Sequence, residues 1–109
     1  MSPAFFERNS STLTEEARSS LEENADILSQ CPNLSVRIEG YAAPGERNTA
    51  SLSEDRSEAV ADFCQNRGVP VTRTMTGGQG QVEGATSKKG GTRQCRRADF
   101  IPEREGGGM

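Results

Sequence analysis

Apolar residues recur along this chain with two different periods. Ala17, Leu21, Ala25 and Leu28, with Ile27 beside them, fall on one face at helical spacing. Thr14 stands before them as an N-cap, and Glu15 and Glu16 fill the first turn, where the helix dipole favours negative charge. Pro32 closes this segment, so a helix is predicted over residues 14–29. Leu34, Val36 and Ile38 then alternate with Ser35, Arg37 and Glu39, the pattern of a half-buried strand. A loop over residues 41–50 contains Pro44 and Gly45. Ser51 and Glu54 follow at capping-box spacing and open a second helix over residues 52–67, stopped by Gly68 and Pro70. Residues 4–8 read as a short strand carried by Phe5 and Phe6. Residues 71–76, VTRTMT, read as a β-branched strand, and residues 97–101 as a last one. The stretch from Gly77 to Gln94 is rich in Gly, Ser, Thr and Lys and reads as a long loop. The order β-α-β-α-β-β predicts an α+β two-layer sandwich, with two helices on one face of a mixed sheet.

One position breaks the pattern. Leu52, Arg56, Ala59, Val60 and Phe63 share a helix face, and one of them is a charge. A charge in an apolar stripe is costly without a partner. With Ser51 as N-cap, Arg56 lies in the second turn, where a guanidinium and the helix dipole would both attract an anion. Two readings are open: an anion pocket roofed by the 41–50 loop, or a structural ion pair with Glu39 or Glu46.

Composition narrows the functional classes. The chain has 109 residues, 31% hydrophobic and 5% aromatic, with no Trp and a net charge of −3. Mean hydropathy is −0.74. This is one small domain with a modest core. The acidic balance argues against general nucleic-acid binding. There is no His, which removes imidazole metal sites and Ser-His or Cys-His dyads. Cys31, Cys64 and Cys95 match no metal spacing; they read as small buried apolar residues or as one disulfide plus a free thiol, with Cys31 and Cys95 placed in loops. The N-terminal MSPAFFER lacks the features of a signal peptide, and an excised domain is expected. Gly77, Gly78 and Gly80 lack the G-K-[ST] of a phosphate loop and read as a turn. Lys88, Lys89, Arg93, Arg96 and Arg97 form a basic cluster, read as a solvated face for the lysines.

Several segments together resemble a known family. FFERNSSTLTEEA, VRIEGYAAPGERN, LSEDRSEAV, GVPVTRTMTGGQG and CRRADF resemble, in order, the motifs of the OmpA-like domain, a periplasmic peptidoglycan-binding module. The resemblance implies a domain over residues 1–104 and a Gly-rich tail over 105–109. It implies a non-catalytic anchor tying an outer-membrane or lipid-anchored protein to the wall, without cofactor or metal. The implied partner is the diaminopimelate arm of the peptidoglycan stem peptide, with no nucleic acid and with membrane contact only through a missing N-terminal region. Arg56 matches the family's carboxylate-binding arginine. The aspartate that meets the ligand's ammonium should follow Gly40-Tyr41-Ala42, but Ala43 stands there. The loop is about two residues shorter than in the family, Asn48 sits one place further from Leu52, and Cys95 replaces an asparagine before Arg96 and Arg97. The implied ligand-binding set is Arg56, Ala42, Ala43, Glu46, Asn48, Arg96 and Arg97. Three outcomes are open: Glu46 or Glu39 supplies the missing carboxylate, the ligand differs, or the domain keeps the frame as an interaction or oligomerisation module that has lost the wall. An enzyme has no recognisable nucleophile or metal set here.

Overall fold

The computed structural model describes residues 1–82 and 93–104. Its elements are β1 (Ala4–Phe5), α1 (Glu15–Gln30), β2 (Leu34–Ala42), α2 (Thr49–Asn66), β3 (Thr74–Gln81) and β4 (Arg97–Arg104), with 3-10 turns at Val71–Arg73 and Arg93–Cys95. The expected element order holds. The sheet runs β1-β4-β2-β3. β2 pairs parallel with β3 and antiparallel with β4, so the sheet is mixed, and α2 supplies the crossover that parallel pairing demands.

Thr14 caps α1 as its chemistry requires, its hydroxyl accepting from the Ala17 N–H at 3.0 Å. Ala17, Leu21, Ala25 and Leu28 are all buried on α1, while Ile27 is exposed. Ala17, Leu21 and Leu28 pack with Phe6, Val36, Ile38, Val60 and Phe100 into one core on the helical side of the sheet. Asn24 is also buried, and its amide ties down the chain start by exchanging hydrogen bonds with the Ser2 backbone at 2.8 and 3.1 Å. The opposite sheet face carries Arg37, Glu39, Arg97 and Asp99, joined in exposed or half-buried ion pairs.

Several expectations need correction. Val71–Arg73 form a 3-10 turn, so β3 begins at Thr74 rather than at residue 71. Residues 77–81 are strand, not loop, and Arg93 and Gln94 belong to a 3-10 turn; residues 83–92 of the predicted loop, with Lys88 and Lys89, lie outside the described residues. So does the tail, 105–109. The buried face of α2 is rotated from the predicted stripe: Ser53, Arg56, Ser57, Val60, Ala61 and Cys64 are inside, and Leu52, Ala59 and Phe63 lie at its margin. Serines can face inward because α2 rides very close to the sheet, over Gly40 and Gly78. Cys31 is exposed rather than buried, whereas Cys64 and Cys95 are buried, and none of the three is in a disulfide.

Candidate functional site

Arg56 is the largest fully buried side chain, with no exposed surface. The helix that carries it begins earlier than Ser51. Asn48 takes the left-handed conformation (φ 47°) at the N-cap, a geometry asparagine tolerates, and Thr49 opens the helix. Ser51 is exposed and is not the cap. Arg56 therefore lies beyond the second turn, outside the reach of the helix-end dipole. Its charge is met by side-chain and backbone acceptors instead.

Every N–H of the guanidinium is accounted for. Nε donates to the Ser10 carbonyl at 2.9 Å, Nη1 to the Tyr41 carbonyl at 2.9 Å and Nη2 to the Glu7 carbonyl at 3.1 Å. The two remaining N–H groups form a fork on Glu46, Nη1 to Oε1 at 2.9 Å and Nη2 to Oε2 at 2.6 Å. This matches the planar guanidinium to the planar carboxylate. The Phe6 ring lies beneath, 5.3 Å from the guanidinium carbon to the ring centre.

Glu46 is equally enclosed, its side chain 1% exposed. Oε1 also accepts from the Ala43 N–H at 2.7 Å and Oε2 from the Asn9 N–H at 2.8 Å. Burial pushes the Glu46 carboxyl pKa up. The hydrogen bonds from Arg56, Ala43 and Asn9 and the Arg56 charge outweigh burial and hold the pKa below the ordinary carboxylate value. The short loop aims Glu46 inward. Residues 43–46 form a turn closed by the Glu46 N–H on the Ala43 carbonyl at 3.2 Å. Pro44 is second in the turn and Gly45 third, with φ 91°, the arrangement of a type II turn. Asn9, itself left-handed at φ 56°, fastens the loop further: its side-chain oxygen accepts from the Arg47 N–H at 2.8 Å.

The structure brings together Arg56, Ala42, Ala43 and Glu46; Ala42 and Ala43 are buried and Asn48 is exposed at the end of the same loop. Of the two readings left open by the sequence, the structure forms the ion pair with Glu46, which in this conformation fills the position a small carboxylate would take. Glu39 takes no part. It accepts from Arg37 and Tyr41 on the other sheet face. Arg96 donates from Nε to the Phe6 carbonyl at 2.9 Å, next to the ring that underlies Arg56. Arg97 stacks over the Tyr41 ring and pairs with Asp99, facing away from Arg56. A hollow of about 280 Å³ lies beside the loop, lined by Asn9, Arg47, Asn48, Ser51, Leu52 and Asp55.

Sequence reasoning missed Phe6, Asn9 and the three carbonyls that hold the guanidinium. The signal for Glu46 was present, since Pro44-Gly45 marks a tight turn whose last residue folds back over its first. No group of residues suited to a metal occurs among the described residues. No helix among them is long and apolar enough to cross a membrane.

The chain is 37% identical over 76 residues to the peptidoglycan-associated lipoprotein of Brucella melitensis, covering 66% of this chain and 44% of the relative. It is 34% identical over 76 residues to that of Agrobacterium fabrum, covering 66% and 42%. It thus spans less than half the length of these relatives. The fold superposes on the crystal structure of the peptidoglycan-associated lipoprotein from Burkholderia pseudomallei with a TM-score of 0.82, at 21% identity over 94% of this chain and 91% of the other. It superposes on the C-terminal domain of Helicobacter pylori MotB with a TM-score of 0.84, at 16% identity over 97% and 87%. The OmpA family model matches residues 5–98, and the chain belongs to the OmpA family.

Proposed function

We propose that this chain is a non-catalytic peptidoglycan-binding module of the bacterial periplasm, tying an outer-membrane or lipid-anchored protein to the cell wall. Family membership and two relatives named as peptidoglycan-associated lipoproteins support the reading. The observation that carries it is Arg56, the match to the family's carboxylate-binding arginine, held beneath the 41–48 loop on an OmpA frame. In this reading the diaminopimelate arm of a stem peptide meets the loop around Arg56, with Ala42, Ala43, Glu46 and Asn48 at the contact and Arg96 at its margin; Arg97, on the other sheet face, takes no part. Contact is weak, because Ala43 offers the ligand's ammonium no charge and Glu46 competes for the guanidinium. Free diaminopimelate then binds in roughly the millimolar range, about 4 kcal/mol. An NMR titration tests this: amide shifts in Asn9 and residues 40–60 support it, and Ala43→Asp should tighten binding. Absence of shifts in both proteins refutes it.

A second reading has its own observation. With no N–H of Arg56 left over, the pair with Glu46 works as a structural staple, and the chain serves as an interaction or oligomerisation domain that has kept the frame and lost the wall.

A further inference from the structure

The ring of donors around Glu46 is built as a receptor. Four N–H groups converge on one carboxylate: two from Arg56, one from Ala43 and one from Asn9. The guanidinium does not need Glu46 to hold its place. The carbonyls of Glu7 and Ser10, in one turn, and of Tyr41 in β2 fix its other three N–H groups, and the Phe6 ring supports its face. Of the four donors, only Ala43 belongs to the turn that delivers Glu46. Both carboxylate oxygens are doubly satisfied, as a bound ligand's would be in a closed site.

We infer that the Arg56 nest is a small-carboxylate site whose ligand is the chain's own Glu46, so that an outside carboxylate enters only when that side chain is withdrawn. The inference stands on the geometry of the nest and does not require the wall-binding reading. Glu46 thus takes the part of ligand rather than that of the missing aspartate. The atoms define the occupant. Glu46→Ala keeps Cβ and removes the Cγ methylene and the carboxylate, which together have the heavy atoms of acetate. The space left behind has the shape of acetate, lined by four donors and one positive charge. An unpaired guanidinium there is costly, and a small anion of the right shape relieves it.

The test is thermal unfolding of Glu46→Ala in sodium acetate and in sodium chloride at equal ionic strength and pH 7, alongside the unaltered chain. Acetate should stabilise the variant saturably, raising its folded-to-unfolded ratio roughly tenfold at ten times the acetate Kd. The amides of Asn9 and Ala43 should shift in the same titration. Pivalate, too bulky for the space, should act like chloride, and the unaltered chain should not distinguish acetate from chloride. Adding Arg56→Met to Glu46→Ala should abolish the response. Equal behaviour of Glu46→Ala in the two salts, or an equal acetate effect on the unaltered chain, overturns the inference. Should Glu46→Ala not fold in chloride, refolding from urea in acetate gives the same reading. Failure to fold in either salt, while Glu46→Gln folds, also counts against it.

Discussion

Gly40 of β2 and Gly78 of β3 lie side by side in parallel register, Gly40 against the Ser53 backbone of α2 and Gly78 against the Glu54 backbone. A Cβ on Gly40 would stand 1.9 Å from the Ser53 carbonyl oxygen, and one on Gly78 would stand 2.6 Å from the Glu54 nitrogen. The close approach sets the height of α2 over the sheet and hence the depth at which Arg56 meets Glu46. Gly40→Ala should therefore destabilise the chain by roughly 3 kcal/mol or more, since backbone rather than a flexible side chain must move. Gly77→Ala, whose Cβ would meet only the Gln79 side chain at 3.4 Å, should change stability by less than about 1 kcal/mol. Urea unfolding of the two variants checks the contrast.

The same pair of glycines shows where the sequence was legible. Alternation of Leu34, Val36 and Ile38 announced β2, and the spacing of Ala17, Leu21, Ala25 and Leu28 announced α1. Both patterns depend on side chains that are buried because they are apolar. Strand β3 has no such pattern. Its inward position at Gly78 is empty because the helix is there, so a residue that usually marks a turn marks a packing contact instead. The buried face of α2 was misjudged for the same reason: Ser53 and Ser57 look polar but sit on glycine. Arg56 was legible as an anomaly that needed an acceptor. Its actual environment was not, because three of its acceptors are backbone carbonyls, which every residue carries.

Removing either side of the buried pair leaves the other charge unpaired. Arg56→Ala and Glu46→Ala, the latter in chloride, should each cost roughly 3–5 kcal/mol. The double change Arg56→Met with Glu46→Leu should cost much less than the sum of the two single losses. A double-mutant cycle on unfolding free energies measures the coupling, and additive losses would show that the two residues act separately.

Acid should weaken the fold through Glu46. Its pKa is lower in the folded chain than the ordinary 4.5, so the unfolded chain takes up the proton first. The stability from this group is fully present above about pH 4.5 and is lost as pH falls toward the folded value. Glu46→Gln should be less stable at neutral pH, and its deficit should shrink as pH drops below 4.5. Unfolding curves between pH 7 and pH 3 check this, and a constant deficit would contradict it.

Thiol chemistry should separate the cysteines. Burial pushes the Cys64 thiol up from 9.0 to about 11, so little thiolate forms in the native state at neutral pH. A thiol reagent should label exposed Cys31 quickly, with Cys64 following only as the chain unfolds and the rate rising with urea. Mass mapping of the labelled chain reads the order, and fast native labelling of Cys64 would contradict its place in the core.

The wall-binding reading is tested most directly by sedimentation with insoluble, diaminopimelate-containing peptidoglycan. The unaltered chain should be retained in the pellet, and excess free diaminopimelate should release it. Ala43→Asp should be retained more strongly. A chain that stays in the supernatant, with Ala43→Asp folded and equally unretained, would contradict wall binding and leave the Arg56–Glu46 pair as the staple of an interaction domain.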